Sequence, residues 1–267
     1  MSTVKEVFHL HLPVEKTNKP GFLCGCEFEI EAIKAHPNPH PHIQVDIDHS
    51  LRNNGHEYKT APNDYKSTLE LFDYLHKNIQ LGKEPFSHRT STHVHVNVST
   101  LNVATVRQMV LAYALLEPMF FAYVGKTREH NIFCVPLYFT TMPEYYKKDL
   151  LYMHNVWHKY TAFNILPLGP QKDGTPGIGT LEFRHLYGTN DKSIFTKWLT
   201  ILKEFYEFFE KNPDYNIVEE VAKGKTPASI CNQIIPSLCE MYPIKEINSL
   251  CADTMLDVKL TVGSLAK

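Results

Sequence analysis

Residues 25–32 read GCEFEIEA, and this octet decides the fold. Together with Cys24, the positions Cys26, Phe28, Ile30 and Ala32 are apolar or small, while Glu27, Glu29 and Glu31 fall between them. A period of two is that of a β-strand with one packed and one open face. Carboxylates crowded on one face repel each other and raise each other's pKa, so a cation or bound protons must hold them there. The strand therefore reads as the wall of a site.

The same design recurs along the chain. In residues 45–50 (VDIDHS), Val45 and Ile47 alternate with Asp46, Asp48 and Ser50, and after the turn at NNG comes a short strand carrying Glu57 and Lys59. Residues 93–99 (HVHVNVS) set Val94, Val96 and Val98 against His93, His95, Asn97 and Ser99, and residues 180–186 set Leu181 and Phe183 against Glu182 and Arg184. Between the strands the apolar spacing turns helical. A helix is expected over 67–79, with Ser67 and Glu70 in capping-box spacing, and a long one over 102–124 that Pro118 should kink or split. Another is expected over 143–157, behind Thr141 and Pro143, and an aromatic-striped core helix over 191–211. These elements predict an α+β protein with a one-sided antiparallel sheet, its polar face open and its helices on the apolar face. Residues 1–212 form the core, and 213–267, broken by Pro227, Pro236 and Pro243, form a helical C-terminal cap of the same domain.

Composition narrows the class. The chain has 267 residues, 43% hydrophobic content and a formal net charge of −2, enough for a large core and too balanced for a broad nucleic-acid footprint. It offers no secretory leader and no run of about 18 apolar residues, so a cytoplasmic protein with no membrane partner is expected. Its six scattered cysteines read as reduced thiols. HPNPHPH at 36–42 reads as an extended surface loop in preference to a metal tract. PLGPQKDGTPGIG at 167–179, with four glycines and three prolines, reads as a mobile loop over a site. The polar face itself has two readings: a solvated sheet face, or a divalent-metal site in which carboxylates with one or two imidazoles suit Mg²⁺ or Mn²⁺.

The order GCEFE, DHSL with a glutamate seven residues beyond the serine, STHVHVNVS and GTLEFRHLYGT resembles the amidoligase family, carboxylate-amine ligases allied to glutamine synthetase and the glutamate-cysteine ligases. The resemblance spans about residues 21–190. It implies a curved antiparallel sheet and a glutamine synthetase-like catalytic fold. It also implies Glu27, Glu29, Glu57, His93 and Glu182 as ligands of two or more Mg²⁺ ions, with His95, Asn97, Ser99 and Arg184 at ATP. Arg184, Asp48 and Arg128 are the implied catalytic residues, and Tyr160 and Asn164 match a segment ahead of the E-F-R strand. The family's D-G-S-L here reads Asp48, His49, Ser50, Leu51, without the glycine, and Glu31 lies outside the G-x-E-x-E motif. The implied reaction is ATP- and Mg²⁺-dependent joining of a carboxylate to an amine through an acyl phosphate, with Asp48 or Glu31 taking the amine's proton. Its partners are small-molecule or peptide carboxylates and amines. Members are frequent in bacteriophage genomes, in which case the host cytoplasm is the location. Two other readings of the same residues stand beside it: a metal-dependent hydrolase or nuclease, and a noncatalytic metal-stabilised binding or structural protein.

Overall fold

The computed structural model describes residues 2–13, 21–137 and 147–265. Among them the strands are β1 (Leu23–Ile30), β2 (Ile33–Ala35), β3 (Ile43–Ile47), β4 (His56–Thr60), β5 (Asn63–Asp64), β6 (Gln80–Leu81), β7 (Ser91–Asn97), β8 (Phe163–Asn164) and β9 (Thr180–Tyr187). The helices are α1 (Val4–Val7), α2 (Tyr65–Asn78), α3 (Val103–Val124), α4 (Lys126–Glu129), α5 (Leu150–Val156) and α6 (Lys192–Lys211). They are followed by α7 (Ile217–Ala222), α8 (Pro227–Ile234), α9 (Pro236–Cys239), α10 (Ile244–Leu250) and α11 (Ala252–Leu265). The main sheet runs β3-β4-β1-β7-β9-β8 with β5 also paired to β1, and β2 and β6 form a small second sheet. Every strand pairing is antiparallel, as the one-sided alternation predicts.

Residues opposite each other in an antiparallel pair share a face, so the register decides which side chains meet. Lys59 faces Glu27, which faces His93; Glu57 faces Glu29; His95 faces Glu182, which faces Asn164. The other face is the core. Phe28 packs edge-on against Phe72 of α2 and Phe195 of α6, whose rings stack on one another at 4.4 Å. Burying aromatics of this size contributes on the order of 2–3 kcal/mol each.

Helix α2 begins earlier than its sequence signal. Asp64, not Ser67, is the N-cap: its side chain accepts the Ser67 N–H at 2.9 Å and the Ser67 hydroxyl as well. Helix α3 runs continuously through Pro118 and is buried nearly all round, held at its start by Asn102. The aromatic stripe of α6 is core, with Phe195, Trp198, Phe205 and Phe209 buried. Helices α8 and α9 pack on α6 and α11 packs on α3, so the C-terminal apolar residues join the same core. The expected helix over 143–157 appears from Leu150, and Thr141 and Pro143 lie outside the described residues. No helix among the described residues is long and apolar enough to cross a membrane.

Two expectations change at the sheet's edges. Strand β3 is an edge strand whose Val45 and Ile47 are 41% and 69% exposed, and Asp48 and Ser50 lie in the turn beyond it. Strand β1 ends at Ile30, so Glu31 leaves the polar face; it is buried and accepts the Arg52 N–H at 2.8 Å.

The loop over 167–179 folds back on itself. Gln171 N–H donates to Thr175 O, and the N–H groups of Ile178 and Gly179 both donate to Pro167 O. At its neck a Cβ on Gly177 would lie 2.4 Å from the Gly169 carbonyl carbon. Backbone cannot swing aside as a side-chain tip can. Gly177→Ala is expected to lower stability by roughly 1–3 kcal/mol, read by urea denaturation; unchanged stability would mean that the neck is not packed as described.

Candidate metal and ligand site

The polar face of the sheet forms the floor of a cavity of about 510 Å³. Its walls come from β1, β4, β7 and β9, from Asp48 and Ser50, from Phe133, Tyr160 and Asn164, and from the 167–179 loop through Pro167, Gln171, Thr175, Pro176 and Ile178. A second pocket of about 320 Å³ adjoins it. That pocket shares Glu27, Lys59, His95 and Ile178, and is otherwise walled by Leu12, Pro13, Gly25, Pro62, Asn97 and neighbours.

Proton counting fixes the state of His93. Ser91 donates both its backbone N–H and its hydroxyl to Glu29 Oε2, at 2.7 and 2.5 Å. The hydroxyl's single proton is thereby committed, so the His93 Nε2 at 2.7 Å must be the N–H that donates to Ser91 Oγ. His93 Nδ1 then faces Glu27 Oε2 at 3.1 Å and Glu182 Oε1 at 3.4 Å. A bare nitrogen lone pair aimed at two carboxylates is repulsive unless a proton or metal ion lies between them.

His95 repeats the arrangement. Its Nδ1 is 3.1 Å from the Thr180 hydroxyl, while its buried Nε2 lacks a hydrogen-bond partner yet lies 3.4 Å from Glu27 Oε1 and 3.9 Å from Glu182 Oε1. Two imidazole nitrogens and two carboxylates thus converge on one small volume. Among the described residues, ligand atoms of Glu27, His93 and Glu182, and of Glu29, Glu57 and His93, each gather within 4.8 Å. Each of these imidazoles also has a hydroxyl on its other nitrogen, the outer support that orients metal-ligating histidines. The residues fit a divalent cation.

Permanent positive charge nearby is limited. Arg184 Nη1 pairs with Glu182 Oε1 at 2.5 Å, and its Nε donates to Phe133 O. Asn164 donates to the other Glu182 oxygen at 2.7 Å. Lys59 spans Glu57 at 2.8 Å and Asp46 at 3.2 Å. Burial pushes the Glu57 carboxyl up to about 7, helped by the Glu27 charge and opposed by Lys59. Burial alone would lower His95, but the charges of Glu27 and Glu182 outweigh it and hold the imidazole at about 9. Burial would likewise raise Glu27 and Glu182; His95 and His93 keep Glu27 well below the usual carboxylate range, and Arg184 with both histidines keeps Glu182 below it.

The expected site residues separate into those that meet and those that do not. Glu27, Glu29, Glu57, His93, His95, Glu182 and Arg184 share the floor, with Asp48, Tyr160 and Asn164 on the same cavity. Asn97 lines only the adjoining pocket. Ser99 is fully buried with its hydroxyl unpartnered, away from both. Arg128 does not reach the cavity. It lies buried behind β9, donating Nε–H to His185 O at 2.8 Å and Nη2–H to Arg184 O at 2.7 Å, so it braces the backbone that carries Arg184. Glu31, bound to the Arg52 N–H, is also absent from the lining. The histidines of 36–42 sit in a largely exposed loop, where His36 Nδ1 meets the Tyr58 hydroxyl.

Sequence patterning missed Ser91, Arg89 and the irregularity in β9. Between Thr92/Leu186 and Val94/Phe183 the register shifts, so that His93 opposes both Arg184 and His185. The bulge leaves Arg184 on the site and sends His185 into the core, where its Nε2 meets Tyr113 Oη at 2.8 Å. Burial, with Arg128 nearby, holds His185 well below the ordinary histidine range. Ser91 could have been found from its place two residues before His93 on the polar face; a bulge has no comparable signature.

Two outcomes are expected. Because two imidazoles face the carboxylates, Mn²⁺ should raise the melting temperature at lower concentration than Mg²⁺, and Glu27→Gln should abolish both shifts; equal potency, or shifts that survive the variant, would place the ion elsewhere. The second concerns the ion-free protein and pH. Glu57, raised from 4.5 to about 7, favours folding only while protonated, and His95, raised from 6.5 to about 9, favours folding only while charged. Both contributions fade as pH rises, and those of Glu27 and Glu182 are lost only in acid. With a chelator present the melting temperature should fall between about pH 5 and about pH 9, and saturating Mn²⁺ should flatten the profile; a flat chelated profile would count against this charge balance.

The family model described as "Putative amidoligase enzyme" matches residues 46–205. That is about 60% of the chain, and it takes in Glu57, His93, His95, Glu182 and Arg184 while β1 with Glu27 and Glu29 lies ahead of it. No curated protein matches the chain. The matched segment carries most of the carboxylate and imidazole groups that converge on the cavity floor, and the chain belongs to the amidoligase family.

Proposed function

We propose that this protein is an ATP-dependent ligase that joins a carboxylate to an amine through an acyl phosphate, with Mg²⁺ or Mn²⁺ at the carboxylate and imidazole cluster and a glutamine synthetase-like catalytic sheet. The observation that carries the reading is the convergence of His93 Nδ1 and His95 Nε2 on Glu27 and Glu182, with Arg184 alongside, at the floor of a cavity large enough for two reactants.

A carboxylate is a poor electrophile, and its activation brings two anions together. In the proposed reaction its oxygen attacks the γ-phosphorus, the new O–P bond forms and ADP leaves. Glu27, Glu182, His93 and His95 would hold one ion and Glu29 with Glu57 a second, and such ions neutralise phosphate charge when bound. Arg184 is held by Glu182 and by Phe133 O, so its remaining guanidinium face is oriented before any substrate arrives and offsets charge on the transferred group. The amine nitrogen then attacks the acyl carbon, a C–N bond forms and phosphate departs. Asp48, on the cavity wall with Oδ1 holding the Ser50 N–H at 2.8 Å, takes the proton lost from nitrogen. Loop residues Pro176 and Ile178 keep water from the acyl phosphate. The adjoining pocket, apolar along Leu12 and Pro62 and continuous with Glu27 and His95, suits a nucleobase.

Hydroxylamine is small and nucleophilic enough to replace an unidentified amine. Incubated with Mg²⁺, ATP, hydroxylamine and a panel of carboxylates, the protein should release ADP and hydroxamate in equal amounts for at least one carboxylate. Glu27→Gln should slow this about 100-fold and Arg184→Ala about 100- to 1000-fold. No nucleotide-dependent hydroxamate across the panel, together with no Mg²⁺-ATP shift in melting temperature, would overturn the ligase reading and leave a hydrolase or a metal-stabilised binding protein.

A further inference from the structure

The cavity has a second electrostatic pole. Arg89, in the loop ahead of β7, lines it beside Ser50, and Lys159, Tyr160 and Gln171 line the same cavity. Its Nη1 donates to Ser50 O at 2.9 Å, its Nε is buried without a partner, and no carboxylate among the described residues forms an ion pair with it. The contrast with Arg184 is direct. One guanidinium of this cavity is neutralised by Glu182 and fixed on two sides; the other is half-buried, fixed on one side and uncompensated.

A guanidinium taken out of water needs an anion to recover its lost solvation, and a carboxylate or phosphate that matches its fork does this best. Four glutamates stand on the cavity floor, yet none approaches Arg89, because Glu29 is held by Ser91 and Glu57 by Lys59. Among the described residues no carboxylate closes an ion pair with this cation. Its Ser50 anchor also ties it to the turn that carries Asp48, placing it beside the acceptor of the amine proton.

We infer that Arg89 is a specificity-determining residue that binds a second anionic group, a carboxylate or a phosphate, on the acyl substrate. The inference rests on the ligase reading only for naming that substrate as the acyl donor. The reacting carboxylate goes to Arg184 and the cation cluster; the second anion goes to Arg89 in the wall of the same cavity. In the register Arg184 opposes His93, while Arg89 lies four residues ahead of His93 and before the start of β7, so the two anions are separated by several bonds. Lys159, exposed on the same rim, adds positive potential without fixing geometry.

The test uses the full chain with Mn²⁺ and a non-hydrolysable ATP analogue, and calorimetric titration of glutarate, adipate, 4-phosphonobutyrate and pentanoate. At least one dianionic probe should bind about tenfold or more tightly than pentanoate. Glutarate or adipate leading the series identifies a carboxylate partner, and 4-phosphonobutyrate leading identifies a phosphate. Arg89→Gln should bring the dianions down to the pentanoate affinity, and Arg89→Lys should keep part of the preference. Both variants should retain the melting-temperature shift given by Mn²⁺ and the analogue, which shows that they are folded and that the nucleotide site is intact. Dianions that bind no better than pentanoate, including no binding by any probe, or a preference that survives Arg89→Gln, would overturn the inference. Loss of the nucleotide shift in the unaltered chain would instead overturn the ligase reading, and the dianion preference would still be read from the same titrations.

Discussion

The crowding of Glu27, Glu29, Glu57 and Glu182 on one face of one sheet is the constraint to which the rest of this molecule answers. Each is largely out of water, and among the described residues two permanent cations are in direct contact with them, Lys59 on Glu57 and Arg184 on Glu182. Such an assembly is unstable in isolation, because buried like charges cost several kcal/mol when left uncompensated. The two imidazoles that point into it are the protein's own adjustable charge, and the raised His95 and Glu57 record how far the balance has been pushed. A divalent cation at the same cluster would relieve this imbalance without consuming protons, and on the proposed reading its binding would release them.

Two hydrogen-bond networks hold the geometry on either side of the sheet. On the polar side, Ser91 links Glu29 to His93 and dictates which imidazole nitrogen carries the proton. Behind it, Arg128 grips the carbonyls of Arg184 and His185, while Tyr113 donates to Glu117 and meets His185. The second network never touches the cavity. It holds the backbone of the bulge that carries Arg184, so the placement of a site residue depends on polar groups buried in the core. A charged group that binds backbone behind a strand can look, from its neighbours in sequence, like one that faces a ligand.

That distinction explains what could be read from the chain. Alternation revealed β1, β7 and β9 and their polar faces, because a period of two is a direct image of a sheet with one wet side. It placed Glu27, Glu29, His93, His95, Glu182 and Arg184 together, since strands of one design pair most economically with their polar faces aligned. Alternation carries no information on where a strand stops, and so Glu31 was grouped with its neighbours although Ala32, at φ +53°, turns the chain away. It also cannot distinguish an edge strand, where Val45 and Ile47 remain exposed, from a covered one. Arg128 and Arg89 exchanged prominence for a related reason: both lie outside regular strands, and only tertiary contacts show that the first is spent on the backbone behind β9 while the second, anchored on Ser50 O, lines the cavity.

The two arginines of the cavity give it a direction. Arg184 lies beside Glu182, where opposing charges are already matched and where, on the proposed reading, bound cations would meet added anionic charge. Arg89 lies in the wall ahead of β7, where no carboxylate among the described residues forms an ion pair with it. A ligand with one anionic end would satisfy either pole and could lie in either sense. A ligand with two would be held at both ends, and its reacting carboxylate could only face the cluster. In the proposed reaction, orientation of this kind would act before any chemistry and limit which carboxylates become activated, because binding energy at the remote anion would go into positioning the reacting one. On the proposed reading the Arg89 guanidinium belongs with the crowded carboxylates: each is a charge arrangement that a substrate with its ions would complete.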